Sequence, residues 1–140
     1  MKILIAVDGS PYTRRMLDYL GAHPEFLAEH QEVVVLHAVA SVPARAAASV
    51  AKELLDSYYD EEAERVFKPV RSFFKKQRLD VDYVSKVGHA AEVIGKVAKQ
   101  GKFDLVVMGS RGHGTLGSLL MGSVAVKVLG HCETPVMLVR

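Results

Sequence analysis

The residues best suited to chemistry in this 140-residue chain are a group of glycines near its C-terminal end. Gly109-Ser110-Arg111-Gly112 is followed, after nine residues, by Gly122-Ser123. Glycine lets a backbone approach a ligand closely and reach φ values closed to other residues. Backbone N–H groups at the start of a helix lack intrahelical partners and sit at the positive end of the helix dipole, so they attract anions. A hydroxyl at Ser123 adds a donor, and Arg111 adds charge. The anion that suits such a row of donors is a polyphosphate. Two other segments follow apolar runs and could complete a pocket: Asp8-Gly9-Ser10 and His37-Ala38-Val39.

Two phosphate motifs can be tested on the same glycines. Gly112-His113-Gly114-Thr115-Leu116-Gly117 has the spelling GxGxxG. In a dinucleotide fold that turn follows the first strand, and an acid ends the next strand about 20 residues on. Here it follows the fourth apolar run, and the next run ends at Arg140 with no acid. Gly117 and Gly122 have P-loop spacing, but the required Lys is missing and Ser123-Val124 follow instead. Neither motif accounts for the segment. Asp8 has a structural role open to it as well, capping the turn before a helix. No nucleophile–base pair stands out, because His37, His89 and Asp8 follow different runs; a bound polyphosphate would turn over slowly at most. His131 and Cys132 are adjacent, but Cys132 is the one cysteine, so a loop approaching a strand is favoured over a metal site.

The elements that must position these residues alternate along the chain. Ile3–Val7, Val33–Leu36, Val81–Val87, Leu105–Met108 and Val136–Val139 are short and rich in β-branched residues, as expected of strands buried on both faces. Between them lie helical patterns. Ser10 is a candidate N-cap and Pro11 suits a first turn, with Met16, Leu17 and Leu20 at helical spacing and Pro24 as the stop. Residues 51–78 carry the stripe Leu55, Tyr59, Ala63, Val66, Val70 and Phe73, with Pro69 expected to kink it. Tyr58, Tyr59, Phe67, Phe73 and Phe74 are expected to face a core. From Lys52 to Glu64 there are six acids and one base; from Arg65 to Arg78 there are six bases and no acid. That order complements a helix dipole. Further helices are expected from about His89 to Gln100, with Gly101 as C-cap, and from about Ser118 to Gly130. The alanine-rich tract 44–51 reads as a helix start or a surface loop. Strand–helix alternation implies an α/β fold with a parallel sheet, helices on both faces and right-handed crossovers.

Length and composition narrow the class. The chain suits one domain, 1–140. A net charge of +2 from 18 bases and 16 acids gives no footing for nucleic-acid or membrane binding. The expectation is a cytoplasmic protein, with no apolar run near the ~18 residues of a membrane span and no signal-peptide pattern at Met1–Val7.

Together these residues resemble the universal stress protein family, ATP-binding type, over nearly the whole chain. The resemblance rests on Ile3-Leu4-Ile5-Ala6-Val7-Asp8-Gly9-Ser10, Leu36-His37-Ala38-Val39, Gly88-His89-Ala90-Ala91-Glu92-Val93-Ile94 and, most strongly, Asp104–Arg140. The pattern G-x2-G-x9-G-[ST], which marks the members that bind ATP, is complete in Gly109, Gly112, Gly122 and Ser123. The resemblance implies a Rossmann-like, open five-stranded parallel sheet in the order 3-2-1-4-5. It implies that Ala6, Val7 and Asp8 line the nucleoside end, with Asp8 near the ribose or a metal-bound phosphate. Val39 would bracket the adenine, with Met108 close by. Gly109, Arg111, Gly112 and His113 would wrap ribose and phosphates, and Gly122, Ser123 and Val124 would hold the phosphates. The implied ligand is ATP, with or without Mg²⁺. The implied assembly is a homodimer through the last strand, 135–139, acting on an unidentified protein partner. The implied function is a nucleotide-dependent regulatory or stress-response module. The alternatives are a slow ATPase or autophosphorylating phosphotransferase, and a partner-binding module that holds another adenine nucleotide or none.

Overall fold

The computed structural model describes residues 1–114 and 120–140. Each apolar run becomes a strand: β1 (Lys2–Ala6), β2 (Glu32–Val39), β3 (Asp82–Val87), β4 (Leu105–Gly109) and β5 (Val136–Val139). They form one parallel sheet in the order β3-β2-β1-β4-β5. The helices are α1 (Pro11–Ala22), α2 (Ala44–Ala47), α3 (Lys52–Lys76), α4 (Ala90–Gln100) and α5 (Ser123–His131), with a 3₁₀ turn at Pro24–Leu27. A helix expected from about Ser118 begins, within the described residues, at Ser123; Ser118 and Gly117 lie outside them.

Strand side chains alternate between faces, so each strand feeds two cores. Ile3, Ile5, Val7, Val33, Val35 and Val39 pack with Met16 and Leu20 of α1 and Phe67, Val70 and Phe74 of α3. Leu4, Val34, Leu36, Val106 and Met108 pack with Ile94 and Ala98 of α4 and Ala125 and Val128 of α5. Burial on both faces holds for the middle of β1 and β4. It does not hold for β3, which is half-buried or exposed throughout, nor for β5, where only Val139 is buried. Both are edge strands at the margins of the two helical layers: Tyr83 and Met137 pack against one core, and Val84, Val136 and Leu138 against the other.

Several local expectations are revised. Ser10 occupies the N-cap of α1, but its side chain makes no capping bond and its buried Oγ has no partner among the described residues. Asp8 does the capping instead, as described below. Gly101 sits at the C-cap of α4 with a right-handed φ of −82°, and the left-handed residue is Lys102. Glycine at 101 is required by space, since a Cβ there would stand 2.4 Å from the Phe103 ring. α3 runs continuously through Pro69, and Val70 and Phe74 beyond it are buried. Phe67 and Phe74 face the core, with Tyr59 and Phe73 packed against it. Tyr58 does not: it is 45% exposed on the outer side of α3.

Phe74 is 1% exposed and stacks edge-on against Phe73 with centroids 5.1 Å apart. Phe74→Ala leaves a cavity between α3 and the sheet and should lower unfolding free energy by about 3–5 kcal/mol, measured by urea denaturation. A loss below about 1 kcal/mol would contradict this packing.

Candidate functional site

In this sheet the chain winds from β1 to β2 and β3 on one side, then returns to β4 and β5 on the other. The strand order therefore switches between β1 and β4, and connections leave their C-terminal ends in opposite directions. A cleft of about 270 Å³ opens there, close to the lower end of the roughly 300–1,000 Å³ usual for small-molecule sites. One wall is apolar, formed by Ala6, Leu36, Ala38, Ile94 and Met108. The other is the backbone-rich segment Gly109, Arg111–Gly114 and Gly122–Ala125.

The floor is built from Asp8. Its carboxylate Oδ1 accepts from the Ser10 backbone N–H at 2.9 Å and from the Thr13 hydroxyl at 2.9 Å. The Thr13 Oγ1 in turn accepts from the Asp8 N–H at 3.1 Å. This Asx turn satisfies the start of α1, with Gly9 at φ +75° in the conformation that favours glycine. So the capping role of Asp8 is real, but it uses one oxygen. The other, Oδ2, lies against the glycine loop: a Cβ at Gly112 would stand 2.6 Å from it.

The loop is clamped onto this floor. The His113 Nε2 donates to the Asp8 carbonyl at 2.6 Å. The Arg111 Nη1 donates to the Tyr12 hydroxyl at 3.3 Å, so Arg111 reaches from the cleft toward α1. A Cβ at Gly109 would meet the Tyr12 Cβ at 2.8 Å, and one at Gly122 would meet the Arg111 Cα at 3.1 Å. All three motif glycines are therefore positions where chain passes against chain. The Gly122 N–H is also committed, donating to the Ser110 carbonyl at 2.8 Å. The first intrahelical bond of α5 runs from Val126 N–H to Gly122 O, so the N–H groups of Ser123, Val124 and Ala125 belong to the open start of the helix. Those three N–H groups are the ones free of an intrahelical partner, and Gly122 shapes the loop.

Of the residues singled out in sequence, Ala6, Val7, Asp8, Met108, Gly109, Arg111, Gly112, His113, Gly122, Ser123 and Val124 line this one cleft. Val39 does not. It is 4% exposed and packs in the core shared with α3. Strand alternation is the reason: Leu36 and Ala38 of β2 share the cleft side, and Val39 points to the other layer. Residues missed in sequence are Leu36, Ile94, Ala90, Thr13, Gly114 and Ala125; Ala38, named there with His37 and Val39, also lines the cleft. Parity along β2 carried the signal for Leu36 and Ala38. Ile94 and Ala90 had none, because only the packing of α4 beside β2 brings them there. His37 reaches the rim, with its Nδ1 2.8 Å from the Val7 carbonyl. The glycines at 112 and 114 of the GxGxxG spelling stand at the cleft, and Gly117 lies outside the described residues.

A cleft at a switch point, with one apolar wall and one wall of loop and helix start, belongs to the open, doubly wound α/β class of folds. Within it, residues 1–140 match the model of the universal stress protein family, and the chain belongs to that family. A universal stress protein encoded beside a sulfhydrylase of Thermus aquaticus is 36% identical over 99% of this chain and 97% of its own length. Among solved structures, that of hypothetical protein MJ0577 is 26% identical with a TM-score of 0.76, covering 99% of this chain and 94% of that one. An Arabidopsis thaliana family member solved with AMP bound shares the fold at 17% identity and a TM-score of 0.69, covering 99% and 90% of the two chains. Family structures in complex with cAMP and, from Archaeoglobus fulgidus, with dAMP share it at 22% and 19% identity, with TM-scores of 0.65 and 0.64, and cover 97% and 98% of their own chains and all of this one.

Because Gly122 touches the Arg111 backbone, Gly122→Val should disturb more than a ligand. Overpacking of this kind costs about 1–3 kcal/mol, so the urea midpoint should fall. Hydrogen exchange at Ser110–His113 should quicken. An unchanged midpoint with unchanged exchange would show that the loop does not depend on this contact.

Proposed function

We propose that this protein binds an adenine nucleotide, ATP in particular, and acts as a nucleotide-dependent regulatory module of the stress response. The observation that carries this reading is the pairing of an apolar wall with a helix N-terminus inside one cleft. A flat base is buried against Ala6, Ala38, Ile94 and Met108, and phosphates meet the N–H groups and hydroxyl at Ser123–Ala125. Relatives of the same fold hold AMP, cAMP and dAMP, which supports adenine as the base. The complete pattern Gly109, Gly112, Gly122 and Ser123 supports a polyphosphate. No group of three or more His, Cys, Asp or Glu that could hold a metal is present among the described residues. Mg²⁺ would enter on the nucleotide's own phosphates with Asp8 as its carboxylate ligand, an arrangement common for this ion. The half-buried Val136, Met137 and Leu138 on the sheet edge support a homodimer through β5, since a bare edge strand needs cover.

Calorimetric titration should detect ATP binding to the purified chain, with GTP at least tenfold weaker. In Gly112→Val the loop can no longer rest on Asp8, and ATP affinity should fall at least tenfold. Mass spectrometry of the ligand released on denaturation should find an adenine nucleotide. A chain that neither carries nor binds one would sink the proposal. For hydrolysis, Asp8→Asn is the informative variant, because it keeps the oxygen that caps Ser10. Turnover that is measurable in wild type and lost in this variant would establish an ATPase; equal rates would mean Asp8 takes no part.

A further inference from the structure

The outer face of α3 is unused by the sheet and has an unusual layout. The inward residues are Ala63, Phe67, Val70 and Phe74. Opposite them runs a stripe at alternating steps of four and three: Leu54, Tyr58, Glu61, Arg65, Lys68, Ser72 and Lys75. Its first two members are apolar and stand open, Leu54 at 66% and Tyr58 at 45% exposure. From Glu61 onward it borders a shallow groove lined by Glu61, Glu64, Arg65, Lys68, Arg71, Ser72 and Lys75. The charge order along α3 suits its own dipole, but that explains neither the exposed Leu54 nor the exposed Tyr58.

We propose that α3 is a self-association surface on which the α3 of a second copy lies antiparallel, with the two-fold axis between Glu64 and Arg65. A two-fold interface must be complementary to itself, residue i meeting j and j meeting i. Around this axis Leu54 meets the aliphatic stem of Lys75 and Glu61 meets Lys68 within the stripe. Beside it Tyr58 meets Arg71 and Glu64 meets Arg65, next to the ion pairs that these residues make within one copy, Arg71–Glu64 at 2.7 Å and Arg65–Glu62 at 2.6 Å. Each copy inserts its apolar pair into the groove of the other, and each acidic half lies on a basic half. Arg71 already packs against aromatic rings, with its guanidinium carbon 4.0 Å from the Tyr83 centroid, so a second ring on its open side extends an existing stack. A parallel pair would set acid against acid. An anionic polymer or membrane would suit the basic half but be repelled by the six acids of the other half. At about 1.5 Å per residue the 25-residue helix presents a seam of about 37 Å. α3 covers β2 and β3, away from the β5 edge, so this surface is separate from both β5 and the cleft.

Sedimentation velocity on the full chain tests the proposal. Wild type should associate, and raised salt should weaken that association, because exposed pairs are screened. Lys68→Glu sets acid against acid at both Glu61–Lys68 pairs, and Glu61→Lys sets base against base there; each should halve the associated mass. Mixing the two in equal amounts should restore it, since each then complements the other. Any dimer through β5 keeps its mass in both variants and is thereby distinguished. A monomeric wild type, a mass unchanged in either variant, or a mixture that stays at half mass would overturn the proposal.

Discussion

The rest of the structure depends on the contact between Asp8 and Gly112, where the chain leaving β4 lies on the chain leaving β1. The two strands are hydrogen-bonded neighbours, with Ala6 paired to Met108, so their C-terminal ends emerge side by side. Two loops that close must share space, and they do so by omitting side chains. Gly112 leaves room for the Asp8 carboxylate, and Gly109 for Tyr12. The His113 ring then fastens the loop to the Asp8 carbonyl. A carboxylate that caps α1 through one oxygen and abuts the loop through the other ties the start of one helix to the path leading into another. The cleft is what remains between that clasp and the face of the sheet.

This arrangement separates two demands that a nucleotide-sized site makes. Apolar surface comes from the regular elements β1, β2, β4 and α4, whose side chains are held by the core around Leu4, Val106 and Ala98. Polar groups come from backbone at the start of α5, whose orientation is set by helix geometry without any charged side chain. A net charge of only +2 is compatible with an anion site for this reason. Arg111 is the nearest guanidinium, and its bond to Tyr12 directs part of its donor capacity to holding the loop.

The two faces of the sheet also divide the work. The α4/α5 side carries the cleft, and the α1/α3 side carries the deeper aromatic core of Phe67, Phe74 and their neighbours. Burial in that layer raises the Tyr83 phenol above its ordinary value, with Arg71 opposing the shift. α3 can then present a charged and partly apolar outer face without disturbing the site, since the sheet lies between them.

Much of this was legible in the sequence because it is local or periodic. Five β-branched runs, the first four each followed by a 3.6-residue pattern, determine five parallel strands with helices between. Glycines at 109, 112 and 122 next to Ser123 mark where a backbone must pass closely. What the sequence alone did not decide is which surfaces those glycines face. The glycine pattern reads as room for a ligand, whereas the tertiary structure also uses it as room for Tyr12, Asp8 and the Arg111 backbone. Val39 and Ala38 are adjacent, and choosing between them for the cleft required the parity of β2 relative to both cores. Ser10 looked like the cap of α1 by type, but its hydroxyl makes no bond, and its own N–H is held by Asp8 while its carbonyl takes the Thr13 N–H. Ile94 joined the site only because α4 packs beside β2. In each case the deciding term is a contact between residues far apart in the chain or across a turn. Spacing and composition carry no record of such contacts until the sheet brings the strand ends together.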